Sequence, residues 1–167
     1  MNRVFFIKPE NRSKEFLIDL FKNHPEIQFV SFMGVDIGGN ATDEKIPISL
    51  FIKDMDDMLK YGIQTDGSSV ELQGIATLNN ARVDMLPDLE ATWFVDYNYD
   101  YYCDENGLPV GSLRIPAFLM HNEKLVCSRS ILKRAEKTFD EAIKAVFDKK
   151  PELAKKYGFD NEEIDKI

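Results

Sequence analysis

The sequence predicts an α+β fold, a mixed β-sheet packed on a helix and followed by a C-terminal helical segment. Three observations carry that expectation. Residues 12–23, RSKEFLIDLFKN, gather Phe16, Leu17, Leu20 and Phe21 on one helical face. Apolar and β-branched or aromatic runs at 27–37, 81–86, 91–104 and 112–120 are separated by Gly, Asn and Pro punctuation, as strands are. From Ser128 onward the pattern returns to helical spacing, with Ile131, Ala135, Phe139, Ala142, Ile143 and Val146 in one repeating set.

The elements follow in order. VFFI at 4–7 opens a strand that Pro9 ends, and Asn11 or Ser13 caps the first helix, which stops at Pro25. IQFVSFMGVDI is a strand leading into a hairpin turn at Gly38-Gly39-Asn40, and PISLFI at 47–52 reads as its returning strand. Gly-Gly-Asn lacks the spacing of a phosphate-binding loop. Asp54 then caps a short helix, DMDDMLKYG, closed by Gly62. Short strands are expected at 74–77, 81–86 and 91–104. In the last, Tyr97, Tyr99 and Tyr101 share a face, which reads as packing. Asn106-Gly107 marks a turn, and SLRIPAFLM with KLVC forms a further hairpin, Pro116 arguing for an edge strand or a bulge. Ser128 caps the long helix, Pro151 begins a further helical turn closed by Gly158, and DNEE at 160–163 has the spacing of a fresh helix start.

Composition narrows the function classes. A chain of 167 residues with 44 % hydrophobic and 30 % charged content is long enough for one domain, or one plus the start of another. The net charge of −8 argues against a nucleic-acid partner and against docking on an anionic membrane. No apolar run reaches membrane-spanning length and the N-terminus has no signal-peptide core, so a cytoplasmic location is expected. Cys103 and Cys127 are too sparse for a disulfide framework, and His24 and His121 stand in no metal-ligand spacing. A small zinc or redox protein is disfavoured on those spacings, and no metal ligands are assigned.

Within residues 61–70, YGIQTDGSSV, the run Asp66-Gly67-Ser68-Ser69 sets an acid, a glycine and two hydroxyls between structured segments. Taken with their surroundings they carry a family resemblance. A helix leads to QFVSFMGVD and a Gly turn; IP and a short helix ending in Gly follow; then come DGSS at Asp66–Ser69, NNARVDMLPD at 79–88 and RSILKRAE at Arg129–Glu136. In that order these fragments resemble the N-terminal region of glutamine synthetase, over roughly residues 12–139. The resemblance implies a β-grasp (ubiquitin-like) domain over residues 1–127 and the helical start of a truncated catalytic domain over 128–167. The family's metal-binding glutamates lie on a later strand with an E-x-E pattern. This chain therefore lacks the metal ligands, the nucleotide pocket and the glutamate-binding arginines. ATP with Mg2+ or Mn2+ belongs to the complete enzyme, and none is expected on this fragment. A cut of a longer chain is the preferred reading of its end.

The family reaction phosphorylates the γ-carboxylate of glutamate and lets ammonia displace the phosphate. Near neutral pH ammonia is mostly ammonium, so a site must attract the cation and then remove a proton. A carboxylate does both. At about 4 Å and an effective dielectric near 20 the attraction is about 4 kcal/mol before desolvation. By resemblance, Asp66 is the catalytic carboxylate, Ser69 lines the same pocket, and the loop serves the active site of a neighbouring subunit in a homo-oligomer built through the β-grasp domain. Family members that ligate larger amines tend to lose the acid, so Asp66 favours ammonia. The sequence departs from the family at Val70-Glu71-Leu72-Gln73 and over 104–123, which bears on oligomer contacts and amine choice. The alternative is a free-standing β-grasp interaction or regulatory module without catalysis.

Overall fold

The computed structural model describes residues 4–66, 82–97 and 103–158. The chain divides into two compact units, Met1–Ser128 and Arg129–Ile167.

The first unit has a mixed sheet of eight strands among the described residues, in a β-grasp-like arrangement: β1 (Phe6–Ile7), β2 (Ile27–Val35), β3 (Ala41–Pro47), β4 (Ile63–Asp66), β5 (Arg82–Pro87), β6 (Trp93–Asp96), β7 (Gly111–His121) and β8 (Lys124–Leu125). One path runs β1-β6-β7-β2-β3, while β4 joins through β5, and both β5 and β8 pair with β7. β2 and β7 run parallel, from Ile27 opposite Gly111 to Met33 opposite Pro116, with a register shift between Ile27 and Phe29. The other pairings are antiparallel.

Two helices cover one face. α1 (Lys14–Asn23) starts at Ser13, whose Oγ accepts from the Phe16 amide at 3.1 Å, so Ser13 and not Asn11 caps it. Leu17, Leu20 and Phe21 turn into the core, where Phe21 meets Phe51 of α2 (Ile48–Tyr61) edge to face, ring centres 6.2 Å apart. The same core takes Val30 and Phe32 from β2, Met85 from β5, Trp93 from β6 and Leu113, Ile115 and Leu119 from β7. Arg12 staples the β5–β6 turn. Its guanidinium donates to the Leu89 and Ala91 carbonyls and lies 4.4 Å from the Trp93 ring centre. Burial lowers the Arg12 pKa, and the charges of Asp88 and Glu10 oppose that shift.

Several sequence expectations change. The strand expected at 47–52 is the first part of α2, and the returning strand is β3, the polar stretch before it. Ile48, Phe51, Ile52 and Met55 follow helical spacing, and a short apolar run does not distinguish helix from strand. Edge strand β3 faces solvent along most of its length and so lacks an apolar signature. Asp54 stands at a kink inside α2, where φ is −113° and ψ is 20° and two helices run together; the second of them is the helix expected from Asp54 to Gly62. Pro116 sits in the central strand and not at an edge. Its carbonyl accepts from Asp88 N at 2.7 Å, at the break where β7 changes partner from β6 to β5, so the missing N–H falls where no ladder bond is required. The aromatic strand stops at Asp96; Tyr97 is buried with its hydroxyl donating to Val4 O at 3.1 Å. Tyr99, Tyr101, the strand expected at 74–77 and the helix start at 160–163 lie outside the described residues.

The second unit comprises nearly all of α3 (Ser128–Lys149), and α4 (Pro151–Lys156), which begins on its proline and ends near Gly158 at φ 82°. The helical stripe of α3 is open to solvent at Ile131, Phe139 and Val146.

Gly62 ends α2 as expected. Its φ is 75°, and an added Cβ would stand 2.3 Å from the Met85 carbonyl oxygen. Gly62→Ala is therefore expected to cost about 2 kcal/mol or more, combining a strained backbone and a backbone clash. Urea unfolding of the two proteins measures it.

Candidate functional site

The stretch around Asp66 is built from α2 outward. Gly62 reverses the chain, and Ile63–Asp66 then pair antiparallel with β5 as Ile63 opposite Met85, Gln64 opposite Asp84, Thr65 opposite Val83 and Asp66 opposite Arg82. β5 rests on the C-terminal half of β7, through pairs from Asp84 opposite Met120 to Pro87 opposite Ala117. Alternation along β4 sends Thr65 inward, where it is buried, and Asp66 outward, where it is exposed. The Thr65 hydroxyl donates to Glu44 Oε1 at 2.7 Å, tying β4 to β3 across the unit.

Asp66 is thus the last residue of a strand that the sequence reading did not include. Ile-Gln-Thr-Asp does alternate, but four residues after a helix stop give too short a run to separate from the turn chemistry beyond. Ser69, the second candidate, lies outside the described residues, as do Gly67 and Ser68.

Charged and polar groups around Asp66 were not singled out by sequence. Arg82 stands directly across the ladder and places its Nε 2.8 Å from Asp84 Oδ1. His121 Nδ1 lies 3.1 Å from the Arg82 carbonyl, and the Asn122 amide nitrogen 2.9 Å from His121 Nε2. That pattern matches the tautomer with its proton on Nδ1, donating to Arg82 and accepting from Asn122. His121 is thus a structural rim residue. His24 is likewise structural, its Nδ1 3.0 Å from Glu26 Oε1 just after α1. Cys103 is exposed and Cys127 buried, and neither is in a disulfide. Only the cross-strand register brings Asp66, Arg82 and Asp84 onto one outward face, and a linear sequence shows no such register.

No three His, Cys, Asp or Glu side chains converge to hold a metal ion among the described residues. None of the described helices is long and apolar enough to cross a membrane. The chemistry available at the rim is that of an exposed carboxylate: it attracts a cation and accepts a proton.

No family model matches the chain, and no curated protein matches it in sequence. Solved structures do. A Plasmodium falciparum glutamine synthetase aligns over 78 % of this chain at 15 % identity, with a TM-score of 0.54. The fold is shared with glutamine synthetase. The alignment takes in 23 % of that enzyme's chain, so the present chain spans about a quarter of the protein it is similar to. GmaS in complex with ADP aligns over 73 % of this chain and 26 % of its own at 16 % identity, with a TM-score of 0.48. GmaS without ligand aligns over 63 % of this chain and 21 % of its own at 15 % identity, with a TM-score of 0.41.

Thr65 separates scaffold from site. Thr65→Val removes the buried hydroxyl while keeping the shape, and is expected to lower stability by about 1 kcal/mol through loss of the bond to Glu44. Chemical denaturation reports the difference.

Proposed function

We propose that this chain is the N-terminal part of a glutamine synthetase-type ligase, which joins ammonia to glutamate with ATP in its complete form. Residues 1–127 are read as the β-grasp domain and 128–167 as the helical start of the catalytic domain. Asp66, with Ser69, is assigned to the ammonium site of a neighbouring subunit in a cytoplasmic homo-oligomer. The observation that carries the proposal is the exposed carboxylate of Asp66 at the end of β4, on a sheet whose fold is shared with glutamine synthetase. The order of motifs around DGSS supports the same assignment.

In this reading Asp66 holds ammonium by charge and then takes one of its protons, releasing the lone pair that attacks the activated γ-carboxyl carbon. The fixed sheet supplies orientation: Thr65 is anchored to Glu44, so the adjacent carboxylate leaves the sheet in a set direction. ATP supplies phosphoryl activation in the complete enzyme.

The isolated 167-residue chain is expected to show no γ-glutamyl transfer, and detectable transfer would contradict the fragment reading. In the complete enzyme, Asp66→Asn is expected to slow ammonia-dependent turnover by roughly 10²–10⁴. A change below about threefold removes Asp66 from the chemistry.

A further inference from the structure

We infer that Asp84 is a positioning residue for Asp66: it holds the Arg82 guanidinium along β5 and so keeps a built-in cation off the carboxylate that receives ammonium. The ammonium part of this inference rests on the function proposed above.

Asp66 and Arg82 are direct partners across β4 and β5, and alternation puts Gln64, Asp84 and Arg82 on the same outward face as Asp66. Opposed residues on one face have Cβ atoms about 5 Å apart, while residues two apart along a strand are separated by about 6.8 Å. Asp66 is thus the nearer acid to Arg82, and opposite charges so placed attract. An ion pair there would occupy Asp66 with the protein's own cation, tethered at a high effective concentration.

The guanidinium points elsewhere. Arg82 Nε stands 2.8 Å from Asp84 Oδ1, and this is the ion pair Arg82 makes among the described residues. Burial explains the choice. Asp84 lies on the inner of three strands, between Gln64 of β4 and Met120 of β7, and its side chain is 18 % exposed against 71 % for Arg82. A carboxylate that has lost this much water gains more from a cation than one facing bulk solvent, as Asp66 does. The Arg82 backbone is held as well, its carbonyl accepting from His121 Nδ1 at 3.1 Å, so the side chain leaves the rim from a set point. The rest of Arg82 is in water, and the charge of Asp84 decides where it turns. Asparagine at 84 keeps the shape and removes that charge, which leaves Asp66 as the attracting acid across the ladder.

In the complete enzyme Asp84→Asn is expected to raise the KM for ammonium about fivefold and to leave kcat within about twofold, since seated ammonium reacts as before. Asp84→Glu keeps the charge and is expected to keep KM within about twofold. Arg82→Gln alone is expected to change KM by less than about twofold, and in the Asp84→Asn background to restore the original KM. A mere loss of negative potential would give Arg82→Gln the same effect in both backgrounds. The 167-residue chain offers a readout free of activity. In an NMR titration of the Asp66 carboxyl, Arg82→Gln is expected to raise the midpoint more in the Asp84→Asn background than in the original chain, because only there does the guanidinium face Asp66. Equal effects of Arg82→Gln in the two backgrounds, or an unchanged KM in Asp84→Asn, would overturn the inference. Asp66→Asn is the control for the reading beneath it. If that change leaves KM and turnover with ammonium unaltered, the proposed function falls and takes the inference with it; an effect of Asp66→Asn without one of Asp84→Asn removes the inference alone.

Discussion

The first unit depends on one strand. β7 is eleven residues long, and its two halves serve different neighbours: residues 112–114 lie between β6 and β2, while 117–121 carry β5 and β8. Leu113, Ile115, Ala117 and Leu119 alternate into the core without a break across that change. A slip of one residue would turn all four toward the opposite face, so the hydrophobic pattern fixes the register of every strand attached to β7. Asp66 inherits its place through this chain of pairings, from β7 to β5 to β4. Pro116 sits at this change of partner, where its missing donor costs no ladder bond.

The other face of the sheet is pinned by charge. Arg114 on β7 donates to Asp43 of β3 at 2.7 Å, to Ser31 of β2 at 2.9 Å and to Asp96 of β6 at 3.2 Å. Its side chain is only 15 % exposed, so the guanidinium has given up most of its water and depends on these partners. Such an arrangement adds little net stability over an apolar replacement, because desolvation offsets much of the attraction. Its effect is on specificity. A shifted β3 or β6 would strand a half-buried cation, so the network penalises wrong pairings more than it rewards the right one.

What the sequence made legible follows from how far each signal reaches. Ser13, Gly62 and the turn at Asn106-Gly107 act over a few residues, and each is found where its chemistry predicts. The swap of strand for helix at 47–52 has a different origin. Ile48 to Ile52 is apolar either way, and the true returning strand hides in the polar ATDEK because an edge strand with solvent on its face needs no apolar stripe. Pro116 misled for the opposite reason: a local rule about donors holds, but the gap that satisfies it is created by tertiary pairing. The motif order singled out Asp66 for the proposed site. Its partners across the ladder were not, since opposition of Asp66 to Arg82 is a property of two strands and not of either alone.

Shared fold by itself leaves chemistry open, since one scaffold hosts many activities. The physical demand of ammonium capture is sharper. A carboxylate facing bulk water attracts a cation at about 4 Å by only about 1 kcal/mol, and by about 4 kcal/mol where the effective dielectric falls to that of a partly enclosed site. Asp66 stands at the water-facing end of its strand, next to the competing charges of Arg82 and Asp84. Under the proposed function, the rim supplies charge and direction while a second protomer must supply the enclosing wall. That division explains why an exposed acid can belong to a catalytic centre: its strength is conferred on assembly, when water leaves and the same charge acts through a lower dielectric.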